Sequence, residues 1–378
     1  SKYITPLLLA TALACPTITL AADISVTNAN KDTYLKSSGE WNAGNSGSSY
    51  NKFIIKEDIT IYITGNVQLY SQIDISEGKT LTIINNCDVT NSDNGTEAGL
   101  YGAQYHGVKI DNKMGAKEGV NVGGTITSRK CMFYIKPGAK LILDSRSSSG
   151  SGNPNNRKMQ INGMCHNRWA LSGKHWTTLV PVAPAEKEGM GFGYDSSTST
   201  EYRPLTYGGI FNCGTLEVYN CVFRDFCTLK ITGTKSTSES TTNNSGTKVT
   251  ATFYDWDFRG FGVITVSGTK LNNAINKYSN NGNTHSSNLT TILEDCYFHE
   301  NASYYGVVLN VVGKTSGTNT ITIRNCDIFH NVVRNVYDTN QSTATTAFPY
   351  SNYNRWGGVI RTAGSTNANI ELINTKIH

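Results

Sequence analysis

Apolar and polar residues alternate strictly in several short segments of the chain. Thr80-Leu81-Thr82-Ile83, Thr320-Ile321-Thr322-Ile323 and Asn369-Ile370-Glu371-Leu372 are three of them. A period of two predicts strands with one face buried. Between these segments lie runs of Ser, Thr, Asn and Gly with no sustained 3.6-residue apolar period, which argues against a helical fold. One phrase keeps returning: Asn86-Cys87-Asp88-Val89, Asn220-Cys221-Val222-Phe223, Asp295-Cys296-Tyr297-Phe298 and Asn325-Cys326-Asp327-Ile328. Spacers then lead to Gly-hydrophobic strands such as Gly306-Val307-Val308-Leu309 and Gly357-Gly358-Val359-Ile360. Self-similarity at such intervals predicts stacked repeats. The expected fold is all-β: a right-handed parallel β-helix (β-solenoid) with long loop insertions. Cys296 and Cys326 are expected one coil apart. Cys221 and Cys296 are expected two coils apart, with Trp256 in the equivalent slot between them.

In such a stack each coil hydrogen-bonds to the next at about 4.8 Å, so like residues form columns. Cys, Phe and Ile supply the apolar columns. The Asn or Asp before each Cys is expected at a strand end, where its side chain bonds the backbone of neighbouring coils. Glycines fit the tight bends. Insertions bulge from turns and make the spacing uneven.

The pairing of Gly-Gly-hydrophobic with Phe-x-x-Asn resembles the repeats of the polymorphic outer-membrane proteins, a family of bacterial surface adhesins. Phe298-His299-Glu300-Asn301 fits the second motif, and Ile328-Phe329-His330-Asn331 fits it with Ile for Phe. Phe223 and Phe258 depart from it, being followed three residues on by Phe226 and Phe261. Gly208-Gly209-Ile210 and Gly357-Gly358-Val359-Ile360 stand for the first motif. The likeness covers roughly residues 205–378, and 52–91 more faintly. It implies a β-helix displayed on a bacterial surface. Members of that family end in a membrane barrel, and nothing in this sequence looks like one.

Residues 1–22 read as a secretory signal, with Lys2 ahead of the apolar stretch Ile4–Leu20 and Ala21-Ala22 before Asp23. Residues 23–51 are expected to cap the solenoid. Residues 52–378 are expected to form the β-helix, with insertions at 92–130 and 145–206 and a continuation beyond residue 378 in a longer protein. The phrase Ile73-Asp74-Ile75-Ser76-Glu77-Gly78-Lys79-Thr80-Leu81 returns as Ile135-Lys136-Pro137-Gly138-Ala139-Lys140-Leu141, predicting two copies of one strand-turn-strand unit. The segments near 233–248, 268–288 and 334–354 read as Ser/Thr/Asn-rich loops.

Only 16% of the residues are charged and 38% are hydrophobic. That composition suits a thin solenoid with an extracellular surface. A net charge of +5 without a basic run gives no support for a nucleic-acid partner. Cys87, Cys221, Cys296 and Cys326 are expected to form a mostly free, buried ladder. Cys165, Cys213 and Cys227 are the better candidates for disulfides.

The candidate chemistry is sparse. Asp255 and Asp257 flank Trp256 at i, i+2, where one strand face would carry both carboxylates for acid–base work or calcium. The bland reading gives Asp255 a turn slot and Asp257 an outward slot. His299 and His330 fall at neighbouring slots on successive coils, too few ligands for a metal site. No cofactor or metal is expected. In the insertion, Arg157, Lys158, Arg168, Trp169, Lys174, His175 and Trp176 put basic groups beside aromatics, a pattern that grips glycans. The expectation is a secreted or cell-surface, non-enzymatic adhesin, localised to a bacterial outer membrane. Its partner would be a host-surface or matrix glycan or protein, with membrane association through an anchor outside this chain. Self-association at the C-terminal edge is a further expectation. The alternatives are a polysaccharide lyase or glycoside hydrolase on the same fold, and a structural stalk or surface-layer filament.

Overall fold

The structure is a computed structural model, which describes residues 23–46, 49–87, 97–98, 104–105, 108–114, 131–146, 158–163, 194–195, 200–201, 208–224, 226, 230–242, 248–257, 262–271, 283–299, 301–303, 306–329, 331–333, 358–363 and 367–378. The alternating segments assemble as expected: the chain is a parallel β-helix. Three parallel sheets of eight, seven and eight strands carry it. Sheet 1 stacks Ile24–Val26, Phe53–Ile55, Ile73–Ile75, Phe133–Ile135, Ile210–Asn212, Ile264–Ser267, Leu309–Val312 and Ile360–Thr362 in chain order. Sheet 2 stacks Ile59–Ile63, Thr80–Asn85, Lys140–Asp144, Thr215–Tyr219, Leu289–Glu294, Asn319–Arg324 and Ala368–Ile373. Sheet 3 stacks Gly39–Trp41, Val67–Leu69, Lys109–Asn112, Met159–Asn162, Cys221–Arg224, Tyr297–His299, Asp327–Phe329 and Lys376–Ile377. Each coil visits sheets 1, 2 and 3 in turn. Coil 1 is the exception, with no strand in sheet 2 among the described residues.

Alternation decides what faces inward. In sheet 2, Leu81, Leu141 and Leu216 register in one column and Ile83, Leu143, Val218 and Leu293 in the next, all fully buried. One column breaks at Thr291, which is buried opposite Leu216 and accepts a 3.1 Å bond from Asn212 Nδ2. In sheet 3, Phe223 stacks on Phe298 with ring centroids 5.0 Å apart and planes 4° apart. Fully burying a side chain of this kind stabilises the fold by about 1.5–3 kcal/mol.

The repeated phrase marks the corner between sheets 2 and 3. Asn220, Asp295, Asn325 and Asn374 hold φ of 55°, 56°, 52° and 48°, the left-handed conformation that Asn and Asp tolerate best. The residue after each turns inward and bonds the carbonyl two residues back. Cys221 Sγ donates to Tyr219 O at 3.3 Å, Cys296 to Glu294 O at 3.2 Å and Cys326 to Arg324 O at 3.3 Å. Thr375 fills the same slot with a hydroxyl, donating to Ile373 O at 3.1 Å. All three cysteine thiols are free and buried, as is Cys213, and Cys87 and Cys131 are buried as well. The expectation of a disulfide at Cys213 is thereby corrected; its thiol donates to Thr269 O at 3.3 Å. Cys165 and Cys227 lie outside the described residues.

The other two motifs also have structural work. Glycine recurs before sheet 1 because adjacent coils touch there. A Cβ on Gly208 would lie 1.8 Å from Gly262 O, and one on Gly262 would lie 1.8 Å from Gly306 O. The Asn of Phe-x-x-Asn bridges coils at the end of sheet 3. Asn301 Nδ2 donates to Phe223 O at 3.1 Å, and Asn331 Nδ2 donates to Phe298 O at 2.8 Å.

Several further expectations are corrected. Cys221 and Cys296 stand on adjacent coils, because Cys221–Arg224 pairs directly with Tyr297–His299. Trp256 occupies no coil slot: it lies in an antiparallel hairpin of Lys230–Thr242 with Lys248–Asp257, outside the three sheets. Residues 23–51 supply strands of coil 1, so the solenoid starts inside the segment expected as a cap. The insertions expected at 92–130 and 145–206 are interrupted by sheet 3 strands at Lys109–Asn112 and Met159–Asn162. The physical reason is shared: short strands with weak patterning, flanked by polar runs, are recognisable only from the neighbours they pair with.

Candidate functional site

Three consecutive turns of the corner between sheets 1 and 2 are tight. Ser76–Lys79 and Lys136–Ala139 are stacked turns closed by Lys79 N→Ser76 O at 3.0 Å and Ala139 N→Lys136 O at 2.9 Å. Gly78 and Gly138 take φ of 70° and 71° there. This is the repeated strand-turn-strand unit seen in the sequence, and its two copies stack in register, Lys140 on Thr80 and Leu141 on Leu81. The next coil turns at Gly214, where a Cβ would lie 2.3 Å from Ala139 O.

Coil 6 departs from this economy. Its connection, 268–288, is described over 268–271 and 283–288, an outgoing and a returning arm. The two arms pair through Lys270 N→Asn283 O at 2.9 Å and His285 N→Gly268 O at 3.1 Å. The outgoing arm is pinned to the outer side of sheet 1, where Leu271 N donates to Tyr134 Oη at 3.1 Å. Tyr134 packs edge-on against Phe211 at 5.8 Å in a small cluster with Cys131 and Cys213. Thr315 of coil 7 holds the returning arm, its hydroxyl placed 3.1 Å from His285 O and 2.8 Å from Ser287 O.

These segments enclose an open cleft of ≈ 450 Å³ lined by Glu77, Pro137, Lys270, Thr284, His285, Ser286, Ser287 and Ser316. Lys270 Nζ lies 2.8 Å from Glu77 Oε1, an ion pair spanning coil 6 to coil 3. Lys270 beside Glu77 holds that carboxyl below its ordinary range. His285 is 7% exposed. Its Nε2 lies 2.9 Å from Ser267 O. A carbonyl only accepts, so Nε2 carries the proton and Nδ1 of the neutral ring bears a lone pair. That Nδ1 is buried and has no hydrogen-bond partner among the described residues. Burial pushes the His285 pKa down, which keeps the ring neutral.

A second unusual group is Lys158, which is 1% exposed at the corner between sheets 2 and 3. Its Nζ donates to Asn220 Oδ1 at 2.7 Å and to Asp295 O, and sits 4.3 Å from the centroid of the Tyr297 ring. Burial lowers its pKa. The expectation that Lys158 meets a ligand from an exposed insertion is corrected. It instead ties the corner turns of three coils together, and its ammonium faces protein on all these contacts.

The other residues singled out from the sequence are not brought together by the described structure. Asp255 and Asp257 sit on the hairpin arm opposite Gly233 and Lys230. Arg157, Arg168, Trp169, Lys174, His175, Trp176 and His330 lie outside the described residues. His299 registers with Phe329 and stacks on it at 4.9 Å. Among the described residues no group of three or more His, Cys, Asp or Glu side chains is placed to hold a metal ion. Glu77, Lys270 and His285 carry no local signal in the sequence: the first belongs to a turn phrase, the others to a loop that reads as merely polar. No family model matches the chain, and neither a curated protein nor a solved structure is detectably similar to it.

Proposed function

We propose that this chain is a non-enzymatic binding protein, a secreted or cell-surface adhesin-like scaffold that holds its partner through clefts and connections on a rigid β-helix. The observation that carries this reading is the state of the cleft's titratable groups. Glu77, the one carboxylate in the lining among the described residues, is paired with Lys270 and held low. A glycosidase's general acid needs the opposite shift, and a second carboxylate facing it. An ionised, exposed carboxylate is a group that accepts hydrogen bonds from a bound partner.

The layout of the coils supports the same reading. The connections that follow sheet 3 in coils 3, 4, 5 and 7 run over 113–132, 163–209, 225–263 and 330–359. All four join the end of a sheet 3 strand to the start of the next sheet 1 strand. Keeping one rigid scaffold while placing recognition in connections is a common division of labour. The resemblance of the repeats to polymorphic outer-membrane proteins favours a bacterial surface as the location.

The test is a panel of immobilised polysaccharides and matrix proteins, read for retention of the chain and for newly formed chain ends. Retention with intact polymers is expected. New chain ends would make the protein an enzyme and turn attention to Asp255 and Asp257.

A further inference from the structure

We propose that the returning arm of the coil 6 connection, 283–287, is an acid-released latch: a proton taken up by His285 Nδ1 detaches the arm from its neighbours and remodels the cleft that it lines. The inference holds whatever the cleft binds.

The argument starts from how the ring is packed. His285 is almost fully buried, and its Nε2 donates to Ser267 O at 2.9 Å. Nδ1 is sealed from solvent and has no hydrogen-bond partner among the described residues. A proton placed there would create a donor without an acceptor and a charge without water around it. Both are costly in a buried position. The ring can hold that proton comfortably only where water reaches Nδ1, and water reaches it only when the arm lifts.

The surroundings give the imidazolium little in return. The charged side chains on the elements around the arm are Glu77 and Lys79 on the coil 3 turn, Lys136 on the coil 4 turn, Lys270 on the outgoing arm and Lys314 on the coil 7 connection. Four of these are cations. Glu77, the carboxylate among them, is held by Lys270 at 2.8 Å. Burial is the largest influence on the ring and keeps it neutral; the Ser267 carbonyl and Glu77 favour the imidazolium, and Lys270 opposes it.

The latch is built from few contacts. His285 N bonds Gly268 O at 3.1 Å, Lys270 N bonds Asn283 O at 2.9 Å, and the Thr315 hydroxyl lies against His285 O and Ser287 O. None of these bonds belongs to the ladders of the three sheets, so the arm can open while the coils stay stacked. Thr284, His285, Ser286 and Ser287 all line the cleft, and lifting them changes its walls.

The sign follows from linkage. A histidine in water titrates near 6.5, and the packed ring titrates lower. Well above the free value the ring is neutral in both states and the latch has its full strength. As pH falls through that value the open arm binds the proton first, so opening is increasingly favoured.

The experiment follows hydrogen exchange of the whole chain at about pH 7.5 and about pH 5.5, one unit either side of the free histidine value. Protection is corrected for the intrinsic rate at each pH. The His285 and Lys270 amides are expected to lose protection severalfold at the lower pH, with about tenfold as the ceiling for one group of that free value. Amides of the sheet 2 strand Lys140–Asp144 are expected to keep theirs. In ¹⁵N-histidine spectra, His285 Nδ1 is expected to gain its proton over the same range. His285→Gln keeps a side-chain N–H for Ser267 O and has no proton to gain, so its arm is expected to stay protected at both values. If that variant does not fold, the wild-type curves decide, since Nδ1 protonation and loss of protection must share one midpoint. Protection unchanged between the two pH values overturns the proposal, as does a protonated Nδ1 in a still protected arm. So does a fall in His285→Gln as large as in the wild type, or an equal fall in sheet 2.

Discussion

Asn301 Nδ2 donates to Asn331 Oδ1 at 2.9 Å, so the last position of the Phe-x-x-Asn phrase on one coil is hydrogen-bonded to the same position on the next. Asn301 also donates to Phe223 O at 3.1 Å and accepts from Phe226 N at 3.0 Å. It thereby connects three coils, and it is fully buried. Asn331 is half-buried and ends the described part of this chain of amides.

Replacing Asn301 by Ala is expected to cost about 3 kcal/mol, because the Phe226 amide and Phe223 carbonyl lose their partner inside the protein. Asn331→Ala is expected to cost about 1 kcal/mol, since water reaches its partners more easily. Urea unfolding checks this through the midpoint, at unchanged slope. Equal effects of the two variants would contradict the assigned role of burial.

Gly262→Ala is expected to destabilise by about 3 kcal/mol, the upper part of the range for overpacking, because the new Cβ would stand 1.8 Å from Gly306 O. Gly78→Ala is a control. Its φ is +70°, but no atom lies within 4 Å of the position a methyl would take, so only the conformational cost of about 1–2 kcal/mol applies. Thermal unfolding of the two variants should rank them in that order.

The thiols of Cys213, Cys221 and Cys296 are raised by burial and stay protonated through neutral pH. The thiolate is the reactive form. Alkylation of the native chain at about pH 8, just below the ordinary thiol range, followed by peptide mapping should leave all three unmodified. Brief unfolding should expose them together. Native labelling of Cys221 or Cys296 would show that the ladder opens.

Lys158 gives stability a pH dependence of known sign. Its folded pKa is lowered by burial, so the unfolded chain binds more protons between the folded and the ordinary lysine value. This group's penalty is complete below the folded pKa and fades as pH rises to the ordinary lysine range. Lys158→Met removes that dependence. The stability difference, wild type minus variant, should therefore increase with pH on the alkaline side; a flat difference would mean the ammonium is not desolvated.

The fold was legible because period-two alternation and a recurring corner phrase are local. Leu81, Leu141 and Leu216 point inward for the same reason in every coil, and Asn220, Asp295 and Asn325 announce a turn that only Asn, Asp or Gly adopts cheaply. The free thiol ladder followed from the same slot analysis. The coil count did not follow. The pairing of Cys221 with Cys296 across a hairpin insertion leaves no periodic trace, and Trp256 mimics a coil position because Asp255-Trp256-Asp257 copies the local pattern.

The candidate site shows the limit more sharply. Glu77 and Lys270 are separated by 193 residues. His285 is one polar residue in a polar loop until Ser267 O fixes its tautomer. By itself the amino-acid order determined which residues turn, which point inward and where like side chains stack, since those depend on near neighbours in the chain. Only the tertiary structure decided which coils are adjacent, that Lys158 is buried, and that a carboxylate, an ammonium and an imidazole share one cleft. Such proximity depends on how far each insertion postpones the next coil, and the lengths of polar loops are not constrained by the pattern that builds the strands.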